Sequence, residues 1–72
     1  DRRLADFLLN EANIEDSNTL KITHEEIGNH LGNPREVVTR MLKYFVGEGA
    51  VKLSRGTVEI IDEDILAKIA GR

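Results

Sequence analysis

Residues 24–40 read HEEIGNHLGNPREVVTR, and two kinds of chemistry can be written onto them. One is a histidine–carboxylate cluster around His24 and His30 that would hold zinc; the other is a pair of helices joined by a turn at Gly32. Spacing separates the two. Helices that bind zinc through two histidines place them four residues apart, about 40° around the axis, whereas His24 and His30 are six apart and diverge by about 120°. One ion cannot be reached by both from one helix, so each histidine is expected to play a plain surface role and no metal is assigned.

The two-helix reading accounts for more of the residues. Thr23 followed by Glu26 forms a capping box, in which a hydroxyl and a carboxylate each satisfy a backbone N–H that the first helical turn leaves without a partner. Ile27 and Leu31 point inward, Gly28 supplies a small residue where the helices cross, and Gly32 closes the helix in the left-handed conformation. Asn33 is placed as the cap of the next helix, with Pro34 at its first position and Glu36 completing the cap. Val38, Met41, Leu42 and Phe45 then recur at helical spacing, while Glu36, Thr39, Arg40 and Lys43 follow the same spacing about 180° away. One face of that helix belongs to the core and the other is presented. Val37 and Tyr44 lie at its margin.

Outward from this pair, Leu4, Phe7, Leu8 and Ala12 mark an amphipathic first helix from Asp1 to about Ala12, ended by the polar run EDSNT. Leu20-Lys21-Ile22 alternates as a short strand does. Gly47 and Gly49 stop the third helix, and Val51–Leu53 and Thr57–Ile61 read as two strands joined through Ser54-Arg55-Gly56. Asp62 caps a last helix with Ile61 and Leu66 placed as a hydrophobic staple and Ile65 and Ile69 completing its apolar stripe. Val51, Leu53, Ile60 and Ile65 join Val38, Met41, Leu42 and Phe45 in the expected core.

The totals narrow the function. A chain of 72 residues makes one domain that buries only about 60% of its unfolded surface, which leaves little room for a deep catalytic cleft. With no cysteine there are no disulfides and no thiolate metal sites, which fits a cytoplasmic setting. No apolar run approaches the roughly 18 residues that span a bilayer. Paired acids such as Glu25-Glu26 and Glu63-Asp64 sit in first helical turns, where the helix dipole favours them, and Ser17 and Ser54 have no nucleophile's turn around them. The chain is therefore not expected to be an enzyme. Its net charge of −3 conceals an uneven distribution: residues 1–34 carry −4, residues 35–55 carry +3 and residues 56–72 carry −2. A polyanion meets the local patch before it meets the total.

Two helices packed steeply across a tight turn form a helix-turn-helix, and the following hairpin makes it a winged one. The fold class expected is mainly α with a small β-hairpin wing: a three-helix core plus a C-terminal helix. The run ITHEEIGNHLGNPREVVTRMLKYFVGEGAVKLSRGTVEIID resembles the C-terminal DNA-binding domain of the Crp/Fnr family of bacterial transcription regulators. The resemblance rests on Thr-x-x-Glu-Ile-Gly at Thr23 to Gly28, Leu31-Gly32, Arg-Glu-x-Val-x-Arg at Arg35 to Arg40, and the Leu-Ser-Arg-Gly wing at Leu53 to Gly56.

That resemblance implies a recognition helix over about residues 34–46 in the major groove and a wing at 53–57 on the DNA backbone. Arg35 and Arg40 are expected to read guanine through paired hydrogen bonds, with Glu36 accepting from a cytosine amino group and Thr39 reaching a base or a phosphate. Thr23, Lys43, Ser54, Arg55 and Gly56 are the expected backbone contacts. Each has an ordinary alternative, since a surface arginine, an idle threonine or a hairpin turn needs no DNA to explain it. Pro34 stands where many members have Ser and Val37 where Thr is common, each removing a hydroxyl from the interface. By the same resemblance the chain, which starts at Asp1 without a methionine, is expected to be one domain (residues 1–72) of a longer regulator. Its N-terminal sensor would dimerise, and the whole would bind a palindromic operator and contact RNA polymerase. No cofactor is expected in this domain, and the effector is unspecified. The alternative partner is a protein, with the same helix face serving as a docking surface.

Overall fold

The computed structural model describes all 72 residues. They run α1 (Arg2–Glu15), β1 (Thr19–Leu20), α2 (His24–Leu31), α3 (Arg35–Gly47), β2 (Val51–Ser54), β3 (Thr57–Ile60) and α4 (Glu63–Ile69). The expected order of elements is present, and the wing is larger than a hairpin: β1 pairs with the far side of β3, giving an antiparallel sheet in the order β1-β3-β2. Leu20 faces Val58 across this pair, and the Ile60 N–H reaches back to the Asn18 carbonyl at 2.8 Å. The strand is therefore Thr19–Leu20 rather than Leu20–Ile22, because pairing with β3 sets its register and ends at Leu20, leaving Lys21 and Ile22 outside the sheet.

A single core of 16 buried side chains joins all of these elements. Leu4 and Leu8 come from α1, Ile27 from α2, Val38, Leu42 and Phe45 from α3, Val51 and Val58 from the hairpin and Leu66 from α4, all with essentially no exposed surface. Met41, Leu53 and Ile65, also expected inside, are half-buried against its margin. Helix α1 continues three residues beyond Ala12 to Glu15, because polar side chains on its solvent face do not interrupt the backbone ladder.

The α2 capping box forms as the sequence requires. The Glu26 N–H donates to the Thr23 hydroxyl at 3.1 Å and the Thr23 N–H to the Glu26 carboxylate at 2.9 Å. At the other end Gly32 adopts φ +74°, and the Arg3 guanidinium of α1 donates to the Leu31 carbonyl at 3.2 Å. The turn to α3 is only Gly32, Asn33 and Pro34. Its tightness comes from Gly28: the Asn33 N–H bonds the Gly28 carbonyl at 2.9 Å, and the Asn33 carbonyl oxygen lies 2.5 Å from where a Cβ on Gly28 would be.

This use of Asn33 corrects the expected cap. The N-cap of α3 is Pro34, with no side-chain hydrogen bond to the helix, so neither Asn33 nor Glu36 caps it. Asn33 is engaged through its backbone with α2, and Pro34 begins the helix by its carbonyl, which accepts from Val37 and Val38. After α3, Gly49 and Ala50 close the helix by donating to the Val46 and Phe45 carbonyls at 3.0 Å, the paired bonds of a Schellman ending. The buried Ala50 then accepts from the N–H groups of Ile61 and Asp62 through its own carbonyl, which pins the base of the hairpin.

Asp62 caps α4 as expected, accepting from the Ile65 N–H at 3.1 Å. The expected staple is absent, since Ile61 is 55% exposed while Leu66 is fully buried. Ile60 takes the inward position of β3, and strand alternation turns its successor outward.

Two predictions follow from these ends. Gly28→Ala drives a methyl against a backbone oxygen that cannot rotate away. Its cost should reach the upper part of the about 1–3 kcal/mol typical of overpacking, outweighing the roughly 1 kcal/mol alanine gains over glycine in a helix; urea unfolding that shows equal or greater stability would contradict this. Glu26 is held below its ordinary value of 4.5 by the Thr23 N–H and then by the Thr23 hydroxyl. Its stabilising contribution is thus present above 4.5 and lost as pH falls through the lower, folded value, so the melting temperature of Glu26→Gln should fall less steeply below that pH than that of the wild type.

Candidate nucleic-acid interface

Because Val38, Leu42 and Phe45 lock one side of α3 into the core, the opposite side is carried outward with Arg35, Glu36, Arg40 and Lys43 exposed. None of these four makes a side-chain hydrogen bond within the chain. The chain has one ion pair, Arg72 with Asp6 at the far side of the molecule. All five cations of residues 35–55 are therefore free of protein carboxylates.

Three elements converge on the N-terminal end of α3. Thr23, His24 and Glu25 at the start of α2, Arg35 at the start of α3, and Leu53, Ser54, Arg55 and Gly56 of the hairpin line one shallow, open depression. The hairpin tip is only Arg55-Gly56, with Ser54 facing Thr57 across the closing pair. Of the expected contact residues, Thr23, Arg35, Ser54, Arg55 and Gly56 are thus brought to one place. Arg40 lies further along α3 beside Val37, Met41 and Tyr44, and Lys43 borders an apolar groove with Val46, Leu53 and Ile61. Glu36 stands exposed on the same helix face.

Thr39 differs from its neighbours. It is half-buried, and its hydroxyl oxygen lies 2.8 Å from Nδ1 of His24. His24 is therefore more than the plain surface residue expected of it. Burial, and then the positive charge of Arg35, hold its imidazole below the ordinary value of 6.5. Periodicity could not have found this pair, because its members sit on different helices 15 residues apart across the turn. His30 points elsewhere and packs on the Phe7 ring at 4.5 Å between centroids. No helix is long and apolar enough to cross a membrane.

A short α2 joined to α3 through a three-residue turn and followed by the β2–β3 hairpin defines a winged helix-turn-helix domain, and Arg35 of α3 and Arg55 of the wing line the same outward depression. The chain matches the Crp-like helix-turn-helix domain over residues 2–69 and belongs to that family, whose members here are transcriptional regulators of bacteria. It is 37% identical to the transcriptional regulatory protein btr of Bordetella pertussis over the whole of this chain and 33% of that protein. A Crp/Fnr family transcriptional regulator from Eubacterium rectale superimposes with a TM-score of 0.94 at 56% identity, over 99% of this chain and 33% of that one. The catabolite activator protein of Thermus thermophilus does so with a TM-score of 0.89 at 34% identity, over 97% and 33%. The chain thus spans about one third of the length of these relatives.

The Arg35 charge adds to burial in lowering the His24 imidazole, so removing it should raise the ring's proton affinity. An NMR titration of the His24 ring should show a higher pKa in Arg35→Ala than in the wild type. An unchanged titration would mean that the guanidinium points away from the ring in solution.

Proposed function

We propose that this chain binds double-stranded DNA sequence-specifically, as the output domain of a Crp/Fnr-like transcription regulator. The observation that carries the reading is the set of unpaired cations at residues 35–55, free of every protein carboxylate and gathered on α3 and the wing of a chain that is acidic elsewhere. Basic side chains left without internal partners are available to phosphates, whose neutralisation supplies most of the affinity of such domains.

In this arrangement α3 enters the major groove, which is wide enough to admit a helix. Arg35 and Arg40 donate to guanine O6 and N7, and Glu36 accepts from cytosine N4. Lys43 and the wing residues Ser54, Arg55 and Gly56 lie on phosphates, as does the Thr23 end of α2, where backbone N–H groups favour an anion. Thr39, with its hydroxyl shared with His24, reaches a base only in concert with that ring. The complete regulator would present two such domains, with recognition helices about 34 Å apart on a palindromic operator. Alone, this chain binds a half-site weakly. A sensor domain and the signal it detects would belong to other parts of such a regulator, and RNA polymerase is a further partner the family resemblance suggests.

The test is fluorescence anisotropy against a palindromic duplex with TGTGA-like half-sites, suggested by the family resemblance, and a scrambled duplex, across a salt series. A steep salt dependence and a preference for the palindrome are expected. Arg40→Ala should lose about 1–3 kcal/mol of that preference, whereas Lys43→Ala should weaken both duplexes alike and lower the salt slope by about one. Absence of binding to either duplex at low salt would turn the α3 face into a protein-docking surface instead.

A further inference from the structure

The contact between His24 and Thr39 makes the hydrogen-bonding character of the Thr39 hydroxyl depend on the protonation of the ring, since a neutral imidazole can present Nδ1 either bare or as N–H. A neutral imidazole has one donor and one acceptor nitrogen, whereas the imidazolium has two donors. With Nδ1 bare, the Thr39 hydroxyl must donate to it across the 2.8 Å contact, and only oxygen lone pairs remain to face outward. Once the ring is protonated a single arrangement is left: Nδ1–H donates to Thr39, and the hydroxyl hydrogen is released toward solvent.

The surroundings determine when that proton is held. His24 lines a depression whose charged members are Glu25 from its own helix, Arg35 from α3 and Arg55 at the hairpin tip, completed by Thr23, Leu53, Ser54 and Gly56. Burial, and then the Arg35 charge, disfavour a positive charge on the ring in the free domain. A phosphate entering the depression reverses the local field, because its charge opposes those of Arg35 and Arg55 and pairs with an imidazolium.

We propose that His24 and Thr39 form a proton-linked element of the DNA interface: binding of a duplex transfers one proton from solvent to His24, whose Nδ1–H then fixes Thr39 as a hydroxyl donor toward an acceptor atom of the DNA. This rests on the DNA-binding reading above. It makes His24 a positioning residue for Thr39, and it makes affinity rise as pH falls.

The experiment follows the affinity of the 72-residue chain for the palindromic duplex from pH 8 to 5.5 at constant ionic strength, in parallel with an NMR titration of the His24 ring with and without duplex. Wild type should tighten by up to about tenfold per pH unit, the limit for uptake of one proton, and the His24 pKa should rise in the complex. His24→Gln should bind with an affinity that no longer follows pH, His30→Gln should keep the wild-type slope, and Thr39→Val should weaken binding more at pH 6 than at pH 8. A wild-type affinity that is flat with pH, a His24→Gln slope equal to wild type, or a His24 pKa unmoved by duplex overturns the proposal while DNA binding stands. Failure of wild type to bind any duplex at low salt and any pH overturns both.

Discussion

Everything in this domain depends on the approach of the Asn33 carbonyl to the α-carbon of Gly28. There is no space for a side chain between them, and the Asn33 N–H is simultaneously bonded to the Gly28 carbonyl. The chain can therefore leave α2 and begin α3 within three residues, which sets the steep crossing of the two helices. That crossing turns Val38, Leu42 and Phe45 inward and, by helical geometry, Arg35, Glu36, Arg40 and Lys43 outward. The same turn brings the N-terminal ends of both helices to the hairpin tip. A larger residue at position 28 would alter the angle on which core and surface both rely.

What the sequence shows plainly is what depends on near neighbours. The Thr23–Glu26 box spans three residues, and the apolar face of α3 repeats every three to four, so local spacing determines both. The failures share a cause as well. Asn33 has the chemistry of a cap, but the approach to Gly28 takes up its backbone. Ile61 and Leu66 have staple spacing, but Ile60 claims the inward position of β3 and directs Ile61 to solvent. The third strand and the bond between His24 and Thr39 join segments far apart in the chain, and no periodicity reports such contacts. Of the expected interface, the α3 face was readable from spacing; its gathering with Thr23 and the wing into one depression was visible only in three dimensions.

Charge is arranged with similar economy. Acidic residues in the first turns of α2 and α4 favour the helix dipoles, and the one ion pair joins the C-terminal Arg72 to α1. Glu25 shares a depression with Arg35 and Arg55 and Asp1 borders Arg40, but neither carboxylate forms an ion pair with them. A chain with net charge −3 thus keeps the cations of residues 35–55 free of ion pairs, and the local field they set differs in sign from that of the whole chain.

Because Arg35, Glu36, Arg40 and Lys43 make no hydrogen bond or ion pair within the chain and bury none of the core, the exposed face of α3 and the stability of the fold rest on separate sets of residues. Substitutions at such sites usually change folding by no more than about 0.5 kcal/mol. Variation at these positions can therefore accumulate one side chain at a time without crossing an unfolded intermediate. Thr39 is the exception: bound to His24, it cannot drift without its partner, and the two positions are expected to change together.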